Sequence, residues 1–169
     1  MYPLPSLIVV DDFLPSPDLV REQVLNLDFC IEGSFPGKRT MAADGEYQAF
    51  IQERFQLILN KKIECWKMDS FSFQMCYEDS ETWVHKDESK WAGVLYLTPD
   101  APTEAGTGIF KDLGNNDFEL VDAVANVYNR LILYRGDAYH RSLLSGFGNT
   151  LETGRLTQVF FFDLEGDNE

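Results

Sequence analysis

What most constrains the fold is a series of short apolar segments, each closed by a turn, filling the second half of the chain. From residue 63 the hydrophobic period shifts towards two. Phe71, Phe73, Met75 and Tyr77 alternate with Ser72, Gln74 and Cys76, the pattern of a half-buried strand. Residues 91–97 form a further strand, stopped by Pro99-Asp100-Ala101-Pro102. Gly106-Thr107-Gly108-Ile109-Phe110 reads as a strand whose glycines allow close backbone approach. Gly114-Asn115-Asn116 reads as a turn after that strand, residues 131–134 as a further strand, and Gly136-Asp137 as the turn that ends it. Residues 118–128 fit either a helix or an extended segment, and residues 143–154 read as a Gly-rich loop. A last strand runs over 156–164. Six or more strands spaced by turns predict a double-sheet jelly roll.

The N-terminal part has a different period. Residues 7–10, Leu-Ile-Val-Val, read as a buried strand. Ser16 is a suitable N-cap and Pro17 a suitable first helical residue, and apolar spacing carries that helix to about Asp28. Gly33, Pro36 and Gly37 mark a loop, whose Phe35, Lys38 and Arg39 either cover a pocket or form a plain surface connection. Residues 47–59 again show helical spacing. The expected architecture is α+β and mainly β, with N-terminal helices packed on one sheet. No linker or repeat divides the chain, so residues 1–169 are read as a single domain, a length that can bury a core without disulfides.

The formal net charge of −14 disfavours a nucleic-acid partner, because no Lys/Arg cluster offsets it. Three scattered cysteines fit free thiols in a reducing compartment. No apolar run is long enough for a membrane span, and the N-terminus lacks the basic region of a signal peptide. The expectation is a cytoplasmic protein with no membrane association. The sequence leaves its oligomeric state open.

The chain has only two histidines. His85 lies in Trp83-Val84-His85-Lys86-Asp87, where strand alternation puts His85 and Asp87 on one side. His140 lies beside a second strand-like run. Brought together, His85, Asp87 and His140 form a 2-His-1-carboxylate face, the ligand set of non-haem Fe(II) oxygenases. On the last strand, Arg155, Thr157, Val159 and Phe161 share one face. Arg155 and Thr157 can together hold a carboxylate, the guanidinium giving two charge-assisted bonds and the hydroxyl a third. Arg130 and Arg135 compete for that role, and Arg141, if extended, points away from His140. Trp83 is read as either pocket wall or core, and Asn129 as a turn residue or a ligand contact.

His85-x-Asp87, distal His140 and Arg155-x-Thr157 resemble the 2-oxoglutarate- and Fe(II)-dependent oxygenases. The opening Val-Asp-Asp-Phe-Leu-Pro, Tyr77 and the Gly-rich segment at 106–108 look like the prolyl 4-hydroxylase-like branch. The segments 92–97, 106–110, 129–134 and 155–162 are similar to a small group of such proteins. The resemblance implies a double-stranded β-helix holding Fe(II) on His85, Asp87 and His140. It implies that Arg155, assisted by Thr157, binds the distal carboxylate of 2-oxoglutarate, with Tyr77 a second candidate. The implied reaction is oxidative decarboxylation of 2-oxoglutarate by O₂ to succinate and CO₂, coupled to hydroxylation of a peptidyl or small-molecule substrate. Because Asp87 is present where related halogenases have a small residue, hydroxylation is expected over halogenation. Two other readings remain: a catalytically silent metal- or ligand-binding module on this fold, and a cupin-like metalloenzyme that does not use 2-oxoglutarate.

Overall fold

A computed structural model describes residues 3–167. The elements in order are β1 (Leu7–Val10), α1 (Pro17–Val24), β2 (Lys38–Arg39), α2 (Gly45–Leu59), β3 (Ile63–Trp66), β4 (Phe73–Cys76), β5 (Trp91–Tyr96), β6 (Thr107–Gly114), β7 (Asp117–Val124), β8 (Leu131–Arg135), β9 (Tyr139–Ser142) and β10 (Arg155–Leu164). Two antiparallel sheets form the jelly roll. The larger runs β1-β8-β5-β10-β4-β2, with β3 also paired to β10, and the smaller runs β7-β6-β9.

β10 is the hub of the larger sheet. Its first half pairs with β4, its last residues with β3, and its other edge with β5 along most of its length. Alternation then gives it two different faces. Leu156, Phe160 and Phe162 are buried in the main core with Leu95, Leu131 and Leu133 from the neighbouring strands. Helix α2 covers this face with Ile51, Phe55 and Leu59. Phe55 meets Phe160 edge-on at 5.0 Å between ring centroids, a geometry aromatic pairs favour. The opposite face of β10 carries Arg155, Thr157, Val159 and Phe161 towards a cavity lined from both sheets.

Pro17 does begin α1, but Ser16 makes no side-chain cap, and the helix ends at Val24, short of the expected Asp28. Residues 25–27 continue as a turn closed by backbone bonds to Arg21, Gln23 and Val24. The ambiguous segment 118–128 is extended: β7 forms a long hairpin with β6. Its turn residues Gly114, Asn115 and Asn116 all have positive φ, as the Gly-Asn-Asn sequence anticipates. Asn129 is a clamp. With φ of 62°, its side chain accepts a hydrogen bond from Leu14 N and donates one to Leu14 O, both at 2.9 Å. This ties the segment after β1 to the start of β8. Among the described residues, no helix is long and apolar enough to cross a membrane.

Candidate active site

The cavity between the sheets has a volume of about 760 Å³, within the range of small-molecule sites. One part of its wall brings His85, Asp87 and His140 together, with one potential ligand atom from each lying within 4.8 Å of the others. His140 is nearly fully buried on β9. His85 lies outside any regular strand, being held by an isolated bridge where strand alternation was expected. A single bridge holds it: His85 N donates to His140 O at 3.0 Å, and His140 N to His85 O at 2.9 Å. The ladder does not extend further, because the 136–138 turn lies just before β9 and Asp87 N reaches Gly136 O instead, at 2.8 Å. His85 and Asp87 thus reach the same cavity through an isolated bridge rather than through strand alternation.

Both imidazoles are oriented through Nδ1. His85 Nδ1 lies 3.0 Å from Trp83 O, and His140 Nδ1 lies 2.8 Å from Ala138 O. A carbonyl only accepts, so each Nδ1 carries a proton, which leaves Nε2 as the nitrogen each ring turns towards Asp87. Burial lowers the His85 pKa from its ordinary value, and the neighbouring His140 adds to that; the Trp83 carbonyl and Asp87 oppose it. The Nε2 atoms face Asp87, at 3.7 Å from Oδ1 for His85 and 3.2 Å from Oδ2 for His140. Asp87 Oδ2 is nonetheless buried without a hydrogen-bond partner. Two imidazole nitrogens and a carboxylate oxygen thus converge with no hydrogen bond joining them, the donor types and arrangement that a divalent cation takes. The donor set therefore fits a metal ion.

Arg155 opens β10 on the same cavity, only 3% exposed. Its Nε donates to Ala105 O at 3.2 Å, and among the described residues no acidic side chain pairs with it. Its guanidinium lies 5.8 Å from the Tyr96 ring centre, and the Tyr96 hydroxyl is 2.6 Å from Thr107 Oγ1. Thr157 is buried and also lines the cavity. A buried guanidinium without a counter-charge is costly, and the cavity gives an anion access to it. The competing arginines are occupied elsewhere. Arg130 forms a two-point pair with Asp11 at 2.7 and 3.1 Å, and Arg135 pairs with Asp137 at 2.9 Å. Arg141 lies over the Phe110 ring.

Tyr77 does not line the cavity. It follows β4 and packs on the main core and against Gly154, where a Cβ would press on its ring. Its hydrophobic alternation with Phe73 and Met75 turns it to the core side, away from Arg155's face. Trp83 stands at the cavity wall, 42% exposed. Sequence reasoning did not assign Tyr134 or Gln74 to the site. Tyr134 is edge-on to the His140 ring at 4.9 Å, and burial raises its pKa well above the usual value, keeping the phenol neutral. Both residues sit at cavity-facing positions of strands whose other face is apolar, the one signal that could have selected them.

Comparison with known proteins bears on the fold. A family of unknown function, DUF6445, matches residues 111–162. No curated protein sequence matches the chain. Among solved structures, the chain is similar to a prolyl-4-hydroxylase from Pseudomonas putida, with a TM-score of 0.57 at 17% identity over 93% of this chain and 91% of that one. It is also similar to a Trichoplax adhaerens prolyl hydroxylase in complex with a hypoxia-inducible-factor oxygen-degradation-domain peptide, with a TM-score of 0.64 at 12% identity over 93% and 83% of the two chains. A third similar structure is SnoK, a non-haem α-ketoglutarate-dependent carbocyclase of nogalamycin biosynthesis, with a TM-score of 0.57 at 12% identity over 94% and 79%. The jelly roll of this chain is thus the double-stranded β-helix fold of the prolyl 4-hydroxylase-like oxygenases.

Proposed function

We propose that this chain is an Fe(II)- and 2-oxoglutarate-dependent dioxygenase that hydroxylates an organic substrate. The observation carrying the proposal is the shared cavity: two Nε2 atoms and an orphaned Asp87 oxygen converge on one wall, and a buried Arg155 with no acidic partner among the described residues lies on another. His85, Asp87 and His140 would hold the iron, whose chemistry when bound is to couple oxidative decarboxylation of 2-oxoglutarate by O₂ to oxidation of the substrate. Arg155 would bind the distal carboxylate of 2-oxoglutarate through its terminal nitrogens, while Ala105 O holds Nε and fixes the plane of the fork. Thr157 would add its hydroxyl from the same strand face. Tyr134 excludes water beside His140. The similar structures include hydroxylases and one carbocyclase, which supports oxidation as the reaction class.

The test is an anaerobic titration with Fe(II) and 2-oxoglutarate. A visible metal-to-ligand charge-transfer band is expected, lost in His85→Ala, with succinate released once O₂ is admitted. A silent binding module would give the band without succinate. A metalloenzyme not using 2-oxoglutarate would bind the metal without the band.

A further inference from the structure

Arg39 is a second buried cation on the cavity. It occupies the edge strand β2, opposite Gln74 of β4, which in turn lies opposite Thr157 of β10. It is 7% exposed. Its Nε donates to Gln74 Oε1 at 2.9 Å, and Gln74 is itself fixed by donating to Pro36 O at 2.8 Å. The Phe35 ring covers the guanidinium at 3.8 Å, and Phe161 flanks it at 5.5 Å. Its ion-pair partner is Asp69, at a long 3.6 Å, with the Asp69 side chain half exposed. So a rigidly held, aromatic-packed guanidinium has only a distant carboxylate to answer its charge. Burial accordingly lowers its pKa from the ordinary arginine value, with Asp69 and then Asp87 opposing.

The surroundings point the same way. The chain carries a net charge of −14, yet the cavity lining holds five cations (Arg39, Lys67, Lys86, Arg141, Arg155) against four acids (Glu32, Asp69, Asp87, Glu88). With Lys67 paired to Asp163 at 2.6 Å, the lining is close to balanced, unlike the acidic molecule around it, so it does not repel an anion as the rest of the surface does. Under the dioxygenase reading, on which this inference rests, 2-oxoglutarate has one carboxylate for Arg155 and another beside the metal. Neither is left for Arg39. β2 is also two strand spacings from β10, roughly 10 Å, which separates the two anchors.

We infer that Arg39 binds the carboxylate of the substrate, a small organic acid with an apolar body that packs on Phe35, Phe161 and Val159. Arg39 is buried on the wall of a cavity of about 760 Å³, a size that suits a small acid.

The probe is phenylpropionate, with phenylpropionamide as its neutral counterpart, titrated calorimetrically into the full chain with and without Mn(II) and saturating 2-oxoglutarate. The wild type should bind the carboxylate and bind the amide about tenfold more weakly or worse, the loss expected for one charge-assisted bond. Arg39→Gln should lose the carboxylate preference, and Arg155→Gln should keep it while losing 2-oxoglutarate. If Arg39→Gln is poorly folded, Arg39→Lys and the acid-to-amide comparison on the wild type decide. Equal binding of acid and amide, undiminished binding in Arg39→Gln, or loss in Arg155→Gln alone overturns the inference. Metal and 2-oxoglutarate uptake are read on the same samples. Failure there sinks the dioxygenase reading, whereas Arg39-dependent carboxylate binding can be scored without either.

Discussion

The orphaned oxygen of Asp87 makes a prediction that runs against the usual sense of mutation. Replacing this residue by its amide, Asp87→Asn, should stabilise the metal-free protein. The Asp87 carboxylate is mostly buried, Oδ2 has no hydrogen-bond partner, and two imidazole Nε2 atoms face the carboxylate at 3.2 and 3.7 Å. The amide removes the negative charge, and its NH₂ supplies a donor to the group of acceptors. The cost of leaving a buried polar group unsatisfied is about 1–3 kcal/mol, so relief of that order is expected. For a domain of this size each kcal/mol moves Tm by roughly 2–4 °C, so the metal-free variant should melt roughly 2–12 °C above the metal-free wild type. With metal the order should reverse. Mn(II) or anaerobic Fe(II) should raise the wild-type Tm through preferential binding to the folded state, and should leave the variant unmoved. The assay is a thermal melt of both proteins after chelation and after metal addition. A variant that melts lower than the wild type without metal, or that keeps the metal-induced shift, would refute the argument that these three side chains await a cation.

Two further outcomes follow from buried charges elsewhere. Arg155→Gln should keep the metal-induced rise in Tm but lose the charge-transfer band, with 2-oxoglutarate binding weakened about a hundredfold for the loss of a two-point charge-assisted contact; an unchanged band would remove Arg155 from the co-substrate site. Asp163, on the far end of β10, is pushed up by burial, but the Lys67 ammonium at 2.6 Å and the Lys90 amide at 2.8 Å outweigh this and hold its pKa below the usual carboxylate value. A depressed folded pKa stabilises at pH above the unfolded value and is lost as pH falls through the folded one. Asp163→Asn should therefore cost roughly 1–3 kcal/mol at neutral pH, and the gap in urea midpoint between variant and wild type should close below about pH 4; a gap independent of pH would refute the ion-pair account.

What the sequence revealed depended on how local its cause was. β10 was legible because alternation is a property of the strand itself: Arg155 and Thr157 fall on the cavity face and Phe160 and Phe162 in the core, as the pattern requires. The turn at Gly114–Asn116 was legible for the same reason, since its residues tolerate positive φ. The segment now assigned to β7 was not, because Phe118, Val121 and Val124 fit either period, and pairing with β6 decides between them. The convergence of the two histidines followed from there being only two, yet the bridge that aligns them depends on where the 136–138 turn cuts β9, a tertiary matter. Tyr77, a second candidate for the carboxylate, packs on the core because its alternation with Phe73 and Met75 turns it that way. Arg39 was flagged only as loop cover, since nothing local predicts a two-residue strand that docks on Gln74.

The paired hydrogen bonds between His85 and His140 also bear on how such a chain can diversify. Backbone contact, not spacing along the chain, fixes the relation of these two residues, so the 54 positions between them carry no ruler. The β6–β7 hairpin lies inside that interval, closed by the turn at Gly114–Asn116. Its tip lies beyond the residues of β6 that pair with β9, so it can lengthen or shorten without altering the backbone pairing of His85 with His140. The chain between the two histidines can therefore vary in length while their register holds.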